Sequence, residues 1–452
     1  MFKKTILTKK QQNNDQFNLK LFFALCLSAL VPTIYQTFRT FMVSVNVSAE
    51  GFNIIGQMEW FDLINETLLA FIVIPLYSVF NKISVQSKND LKYFVFKAGI
   101  LTVLFYSLFQ LGVFFYGKNL LVFMNPAETD VSAASRYLIL ETAAFAAGVI
   151  PAFAKVVFIV KNRVKNVYIL LAVQALLLIV SDFILIPQFK VEGVAISNIV
   201  TNIILSAASI ILLILYGDLF PSKFKKSDAA LLKGWVKTGF FSGMQQFTDN
   251  IVYALMIGKM VNMVAEQGNY WLANNFIWGY LLVPINALAE IIKRDCVNGY
   301  ILKKSNYYTA LFIIFFVWIA SIPLWHIFYR DTERLVNHQQ IFSITLKLFP
   351  FYFAYAFSTI PDSIFTGLGK TKYNAVNSLL VNFIYYGSFF ILYKTNIITM
   401  TMDTIILMFG FGMVFHLLIS IIEEHILKRW LRKQNRRQQL YRSGAIIKMT
   451  HF

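Results

Sequence analysis

Residues 164–188 read VKNVYILLAVQALLLIVSDFILIPQ, an apolar run interrupted past its first turn only by Gln174, Ser181 and Asp182. A helix of about 20 residues, rising 1.5 Å per residue, crosses roughly 30 Å of hydrocarbon, so this stretch alone predicts a membrane span. Eleven more stretches of similar character flank it: 18–46, 56–80, 91–116, 133–160, 193–217, 231–261, 269–293, 307–328, 341–368, 372–393 and 400–427. A bilayer core offers no water to unpaired backbone groups, so each span is expected to be helical. The expected fold is an all-α integral membrane protein of twelve transmembrane helices.

The loops alternate in charge. Lys3, Lys4, Lys9 and Lys10 precede the first span. Basic clusters follow every even-numbered one, among them Lys161, Arg163 and Lys165, then Lys223, Lys225, Lys226 and Lys233, then Lys370 and Lys372. The other loops hold fewer cations and carry Glu50, Glu128, Asp130, Glu192, Glu266, Asp331 and Glu333. Lys and Arg are retained on the cytoplasmic side, which predicts both termini inside. An odd number of spans would break the alternation.

Composition agrees. The chain is 57% hydrophobic and 14% charged, too little polar surface for a soluble protein of 452 residues. The formal charge of +18 sits mostly in the inner loops, so its expected partner is the anionic inner leaflet and not nucleic acid. The basic run Lys428 to Arg442 reads as a tail on that leaflet. Cys26 and Cys296 form no disulfide framework and no metal spacing, and the first apolar run follows a polar tail and is too long for a cleaved signal.

The chain repeats its own pattern around the basic linker Pro221 to Lys233. Val149-Ile150-Pro151 answers Thr359-Ile360-Pro361, Trp60 and Pro75 answer Trp271 and Pro284, and Gln36-Thr37-Phe38-Arg39 answers Gln246-Phe247-Thr248-Asp249. Six spans per half put both halves the same way up, a parallel pseudo-two-fold repeat of two lobes. The expected organisation is a tail at 1–17, an N-lobe at 18–217, a linker at 218–230, a C-lobe at 231–427 and a basic tail at 428–452.

An ionisable group inside a span is costly and usually functional. Arg39 and Asp182 fall at similar depth in the outer thirds of the first and fifth spans, and Asp62 and Glu66 lie one turn apart on the second. These four are expected to meet in a hydrated, outward-facing cavity of the first half, with Gln36 and Gln246 as further lining. Glu59 reads as an interfacial residue. Asp249, near the middle of the seventh span, has no cation close in sequence and reads as a site for a proton or Na⁺. Asp362 and Glu290 read as pairing with Lys370 and Lys293 near the inner ends of their helices. No complete phosphate loop surrounds Gly369-Lys370-Thr371, no His/Cys/Glu set has ligand spacing, and no enzyme activity, metal or organic cofactor is expected.

Asp182-Phe-Ile-Leu-Ile-Pro187 followed by Val191-Glu-Gly-Val-Ala-Ile-Ser-Asn-Ile-Val-Thr201 resembles the fifth and sixth helices of the multidrug and toxic compound extrusion (MATE) family, within the wider flippase superfamily. Lys237 to Asp249 is similar to the family's seventh helix. The resemblance implies cation coupling at Asp249 and Asp182 and amphipathic organic substrates. Two positions depart from it: Arg39 stands where the family has a carboxylate, and Leu178 where it usually has an asparagine, which puts coupling through the first half in doubt. The expectation is a secondary transporter, monomeric and in a bacterial inner membrane, that exports a small organic solute by alternating access against a proton or sodium gradient. A lipid or lipid-linked saccharide flippase is the alternative, with Arg39 receiving an anionic headgroup. A non-transporting scaffold is the third reading.

Overall fold

The computed structural model describes residues 17–47, 49–86, 88–124, 131–220, 228–297 and 304–442. Most of the N-terminal tail, linker residues 221–227, the loop acids Glu128 and Asp130, and the tail from 443 lie outside these. The described residues form helices and no strand.

Twelve helical passages follow in chain order. In the N-lobe, α1 is Leu19–Asn46. α2 is segmented as Ala49–Gly56, Glu59–Ile72 and Pro75–Gln86. α3 is Lys88–Met124, α4 Val131–Val160, α5 Val164–Phe189 and α6 Val191–Leu215. In the C-lobe, α7 is Asp228–Tyr253, a π turn at Ala254–Gly258, and Lys259–Met263. α8 is Gln267–Phe276, a π turn at Ile277–Leu281, and Val283–Val297. α9 is Lys304–Ile327 with a π turn at Phe328–Thr332, and α10 is His338–Gly367. α11 is Lys372–Leu379, a π turn at Leu380–Tyr386, and Gly387–Lys394, and α12 is Met402–Arg442.

Ten of these are long and apolar enough to cross a membrane, and the two halves of α8, bent by 47°, make an eleventh. The remaining passage, α7, is helical throughout but carries Lys233, Lys237, Thr248, Asp249 and Asn250. Asn250 bonds to α2 of the other lobe and Asp249 to α11 of its own, which is why α7 can be a span without being a strongly apolar one. The chain is therefore a multi-pass, all-helical membrane protein of two six-helix lobes.

The repeat is visible in the backbone. Proline lacks the donor a helix interior needs, and α2 breaks just before Pro75 as α8 breaks just before Pro284. Pro151 and Pro361 both sit inside long helices, α4 and α10. The last helix does not stop at the membrane: α12 continues through Lys428 to Arg442, so the beginning of the basic tail is an extension of a span.

α2 runs against α7 and α1 against α8. Trp235 Nε1 donates to the carbonyl of Ile72 at 2.8 Å, and Asn250 Nδ2 to the carbonyl of Leu63 at 2.9 Å. Thr33 donates to the carbonyl of Gly279 at 2.9 Å, and Thr37 meets Tyr280 at 2.6 Å. On the membrane side away from the termini, the far side, the lobes touch backbone to backbone. A Cβ on Gly56 would stand 2.6 Å from the Gln267 carbonyl oxygen, and Gly268 N–H donates to Asn53 Oδ1 at 3.1 Å. Only glycine permits that approach, and it closes the far side.

Candidate functional site

In the N-lobe, α1 brings Arg39 and α5 brings Asp182 to the same depth. The guanidinium grips the carboxylate at two points, Nε to Oδ2 at 2.7 Å and Nη2 to Oδ1 at 3.0 Å, with Asp182 only 1% exposed. This is the bidentate geometry that arginine offers and lysine does not.

Beside the pair lies a cavity of about 170 Å³ whose wall includes Gln36, Arg39, Asp62, Tyr137, Glu141 and Asn198. Phe52 and Trp271, their rings 6.5 Å apart, stand at its far-side end, so it lies beneath the closed end and not open to that side as the sequence suggested. Glu141, on α4, is buried and accepts from Asn198 Nδ2 of α6 at 2.8 Å. It was overlooked in the sequence, although a carboxylate inside the fourth apolar run carried the same signal as Asp182. Asp62 is exposed into the space between the lobes. The cavity wall thus holds Asp62 and Glu141 together with an arginine that is already paired to Asp182.

Two expected lining residues are not in this wall. Glu66, one turn past Asp62, leaves the cavity behind and stands next to Asn250 of α7. Gln246 is on the opposite lobe, where its Nε2 donates to Asn250 Oδ1 at 2.9 Å. Both belong to the seam between α2 and α7, because each lies on the face its helix turns toward the other lobe. Glu59 is a further correction: it is no interfacial residue but accepts from Tyr253 at 3.3 Å and Asn274 Nδ2 at 3.2 Å, tying α2 to α7 and α8.

The C-lobe carboxylate is held differently. Asp249 Oδ1 accepts from the Ser378 hydroxyl and from Asn382 Nδ2 at 2.7 Å, both on α11. Asn382 lies in that helix's π turn, a local widening often found at functional sites. The hydrogen-bond donors to Asp249 are neutral, and it is only half-buried. Next to it, Asp362 of α10 accepts from Ser420 at 2.8 Å and meets His416 Nε2 at 2.8 Å, both on α12. The sequence had assigned Asp362 to Lys370; Glu290 does pair with Lys293, at 2.8 Å. Among the described residues no group of three or more His, Cys, Asp or Glu side chains could hold a metal.

No family model and no curated protein matches the chain in sequence. Solved structures do match it in shape. An inward-facing multidrug resistance MATE family transporter of the MOP superfamily superposes with a TM-score of 0.72 at 16% identity, over 91% of this chain and 99% of that one. An outward-facing structure described in the same words gives 0.66, over 92% and 96% at 16% identity. A MOP superfamily transporter from Pyrococcus furiosus, described as having a binding pocket of reversed polarity, gives 0.64, over 92% and 96% at 16% identity. The chain therefore has the fold of the MATE transporters of the MOP superfamily.

Proposed function

We propose that this protein is a secondary active transporter that exports amphipathic, preferentially cationic organic solutes, driven by proton or sodium entry through Asp249. The observation that carries the reading is the contrast between the two lobes at matching positions of the repeat. Arg39 grips Asp182 at two points, whereas the hydrogen-bond donors to Asp249 are the neutral Ser378 and Asn382, with His416 near enough to act on it electrostatically. A half-buried carboxylate without a fixed counter-cation binds and releases a small cation at modest cost, while a carboxylate in a buried ion pair does not. Coupling is assigned to Asp249, and Asp182 becomes part of the scaffold of the N-lobe cavity.

The charge around that cavity, Asp62 and Glu141 beside an arginine already paired with Asp182, favours a cationic solute. It works against the alternative of an anionic lipid headgroup at Arg39, whose guanidinium is already engaged by Asp182. The closed far side and the higher TM-score to an inward-facing transporter support an inward-facing state in the proposed orientation, termini in the cytoplasm of a bacterial cell. In that state the solute enters from inside.

The test is transport in proteoliposomes under an imposed pH or Na⁺ gradient, with a panel of cationic and anionic compounds. Asp249→Asn is expected to abolish accumulation against a gradient and to leave the protein folded. Accumulation that survives this change, or that favours the anionic compounds, refutes the reading.

A further inference from the structure

Between the lobes, on the side where α2 and α3 face α7, is a slot of about 410 Å³. Its walls are apolar: Leu63, Phe71, Phe109, Phe123, Ile251 and Leu255 are among them. Two of the polar lining groups, Thr67 and Asn250, bond to one another at 3.1 Å. Phe109, Phe123 and Ile251 are 37%, 56% and 40% exposed, so the slot opens sideways into hydrocarbon and not toward either aqueous face. Along α2 it extends from Trp60 to Phe71, about 16 Å at helical rise.

Its counterpart in the repeat, where α8 and α9 approach α1, is filled by the protein itself. Phe276, Tyr280, Trp325 and Phe328 stack there with ring centroids 5.2 to 5.7 Å apart. On the open side α3 turns Phe114 and Phe115 outward instead, 48% and 73% exposed. One seam is plugged and the other is vacant.

The vacant seam also has a charged rim. Lys259, one turn beyond Leu255 on the far side, holds its ammonium 3.5 Å over the ring of Phe123, and Lys394 is close enough to act on it electrostatically. Trp60, 3% exposed and part of the same wall, has an indole N–H with no acceptor among the described residues. A long apolar slot opening to the membrane, an unused donor near its far-side end and an ammonium at its mouth match an acyl chain, its ester and its phosphate in that order. The ammonium repels a cationic solute. We propose that this slot holds one chain of an anionic phospholipid from the far-side leaflet, with its phosphate at Lys259. Because the walls belong to both lobes, such a lipid favours the state in which the slot exists. The inference does not depend on what the protein transports.

The full-length protein in membranes of equal phosphatidylglycerol and phosphatidylcholine is delipidated stepwise and weighed by native mass spectrometry. One phosphatidylglycerol is expected to survive, several-fold over phosphatidylcholine. Lys259→Gln should bring the two lipids to parity while one remains bound, and Ile251→Trp, which fills the slot, should remove both. Lys259→Gln changes only the rim, so the result stands even if Ile251→Trp fails to fold. Absence of a retained lipid, or an unchanged ratio in Lys259→Gln, would overturn the assignment.

Discussion

At the residue scale the two charged positions respond to substitution in opposite ways. Removing one member of a buried ion pair leaves the other uncompensated, at a cost of about 3–5 kcal/mol. Arg39→Ala should therefore lower the melting temperature in detergent sharply. The paired change Arg39→Met with Asp182→Leu should recover most of the loss, because an apolar pair of similar volume is often as stable as the ions. Asp249→Asn should leave melting nearly unchanged, since Ser378 and Asn382 can bond an amide. Counting residues along each span was enough to put Arg39 and Asp182 in one layer, because charge in an apolar run is conspicuous. Ser378 and Asn382 were not legible in this way. Neutral polar residues are common in spans, and only the π turn of α11 explains why these two reach Asp249. Glu59 misled for a related reason: its place near a helix start looked interfacial, and its partners Tyr253 and Asn274 lie on the other lobe.

At the element scale, helix contacts set how the lobes meet. The far-side contact between the first segments of α2 and α8 depends on Gly56 and Gly268. Gly56→Ala places a methyl 2.6 Å from a backbone carbonyl oxygen, with no flexible side chain to yield. The far-side ends should part, and spin labels on Val45 and Val336, across the boundary that Ser44 bridges to the Arg334 carbonyl, should report longer distances than in the parent. A second element-level expectation concerns the short loop after α9. Burial pushes Glu333, 6% exposed, up to about 8 from the ordinary glutamate value of 4.5. Folding thus favours its protonated form. That contribution to stability is complete below about pH 4.5 and is lost as pH rises through about 8. Melting temperature should fall across that interval, and Glu333→Gln should flatten the dependence. The element boundaries themselves were readable wherever hydropathy changed abruptly. They were missed where a helix runs through a short polar break, as α3 does at Gly117-Lys118-Asn119 before ending at Met124, or outlasts its apolar stretch, as α12 does beyond Leu427 to Arg442.

For the whole molecule, the alternation of basic loops makes orientation a direct prediction. With Cys26 and Cys296 replaced, a cysteine at Val336, 80% exposed, should react with an impermeant maleimide in intact cells, and one at Thr371 should react only after lysis. The two-lobed architecture was legible because membrane burial selects one kind of residue for about 20 positions at a time, and because the repeat preserves its prolines. Function was less so, since the two halves share a plan and differ in how a few charged groups are paired. That difference has an energetic corollary. If coupling runs through Asp249 alone, as proposed above, one turnover exchanges one monovalent ion for one molecule of solute. If the solute is a monocation, such a swap carries no current. The steady accumulation ratio then tracks the ion's concentration ratio alone, about tenfold per pH unit for protons, and clamping the membrane voltage with valinomycin and potassium should leave it where it was.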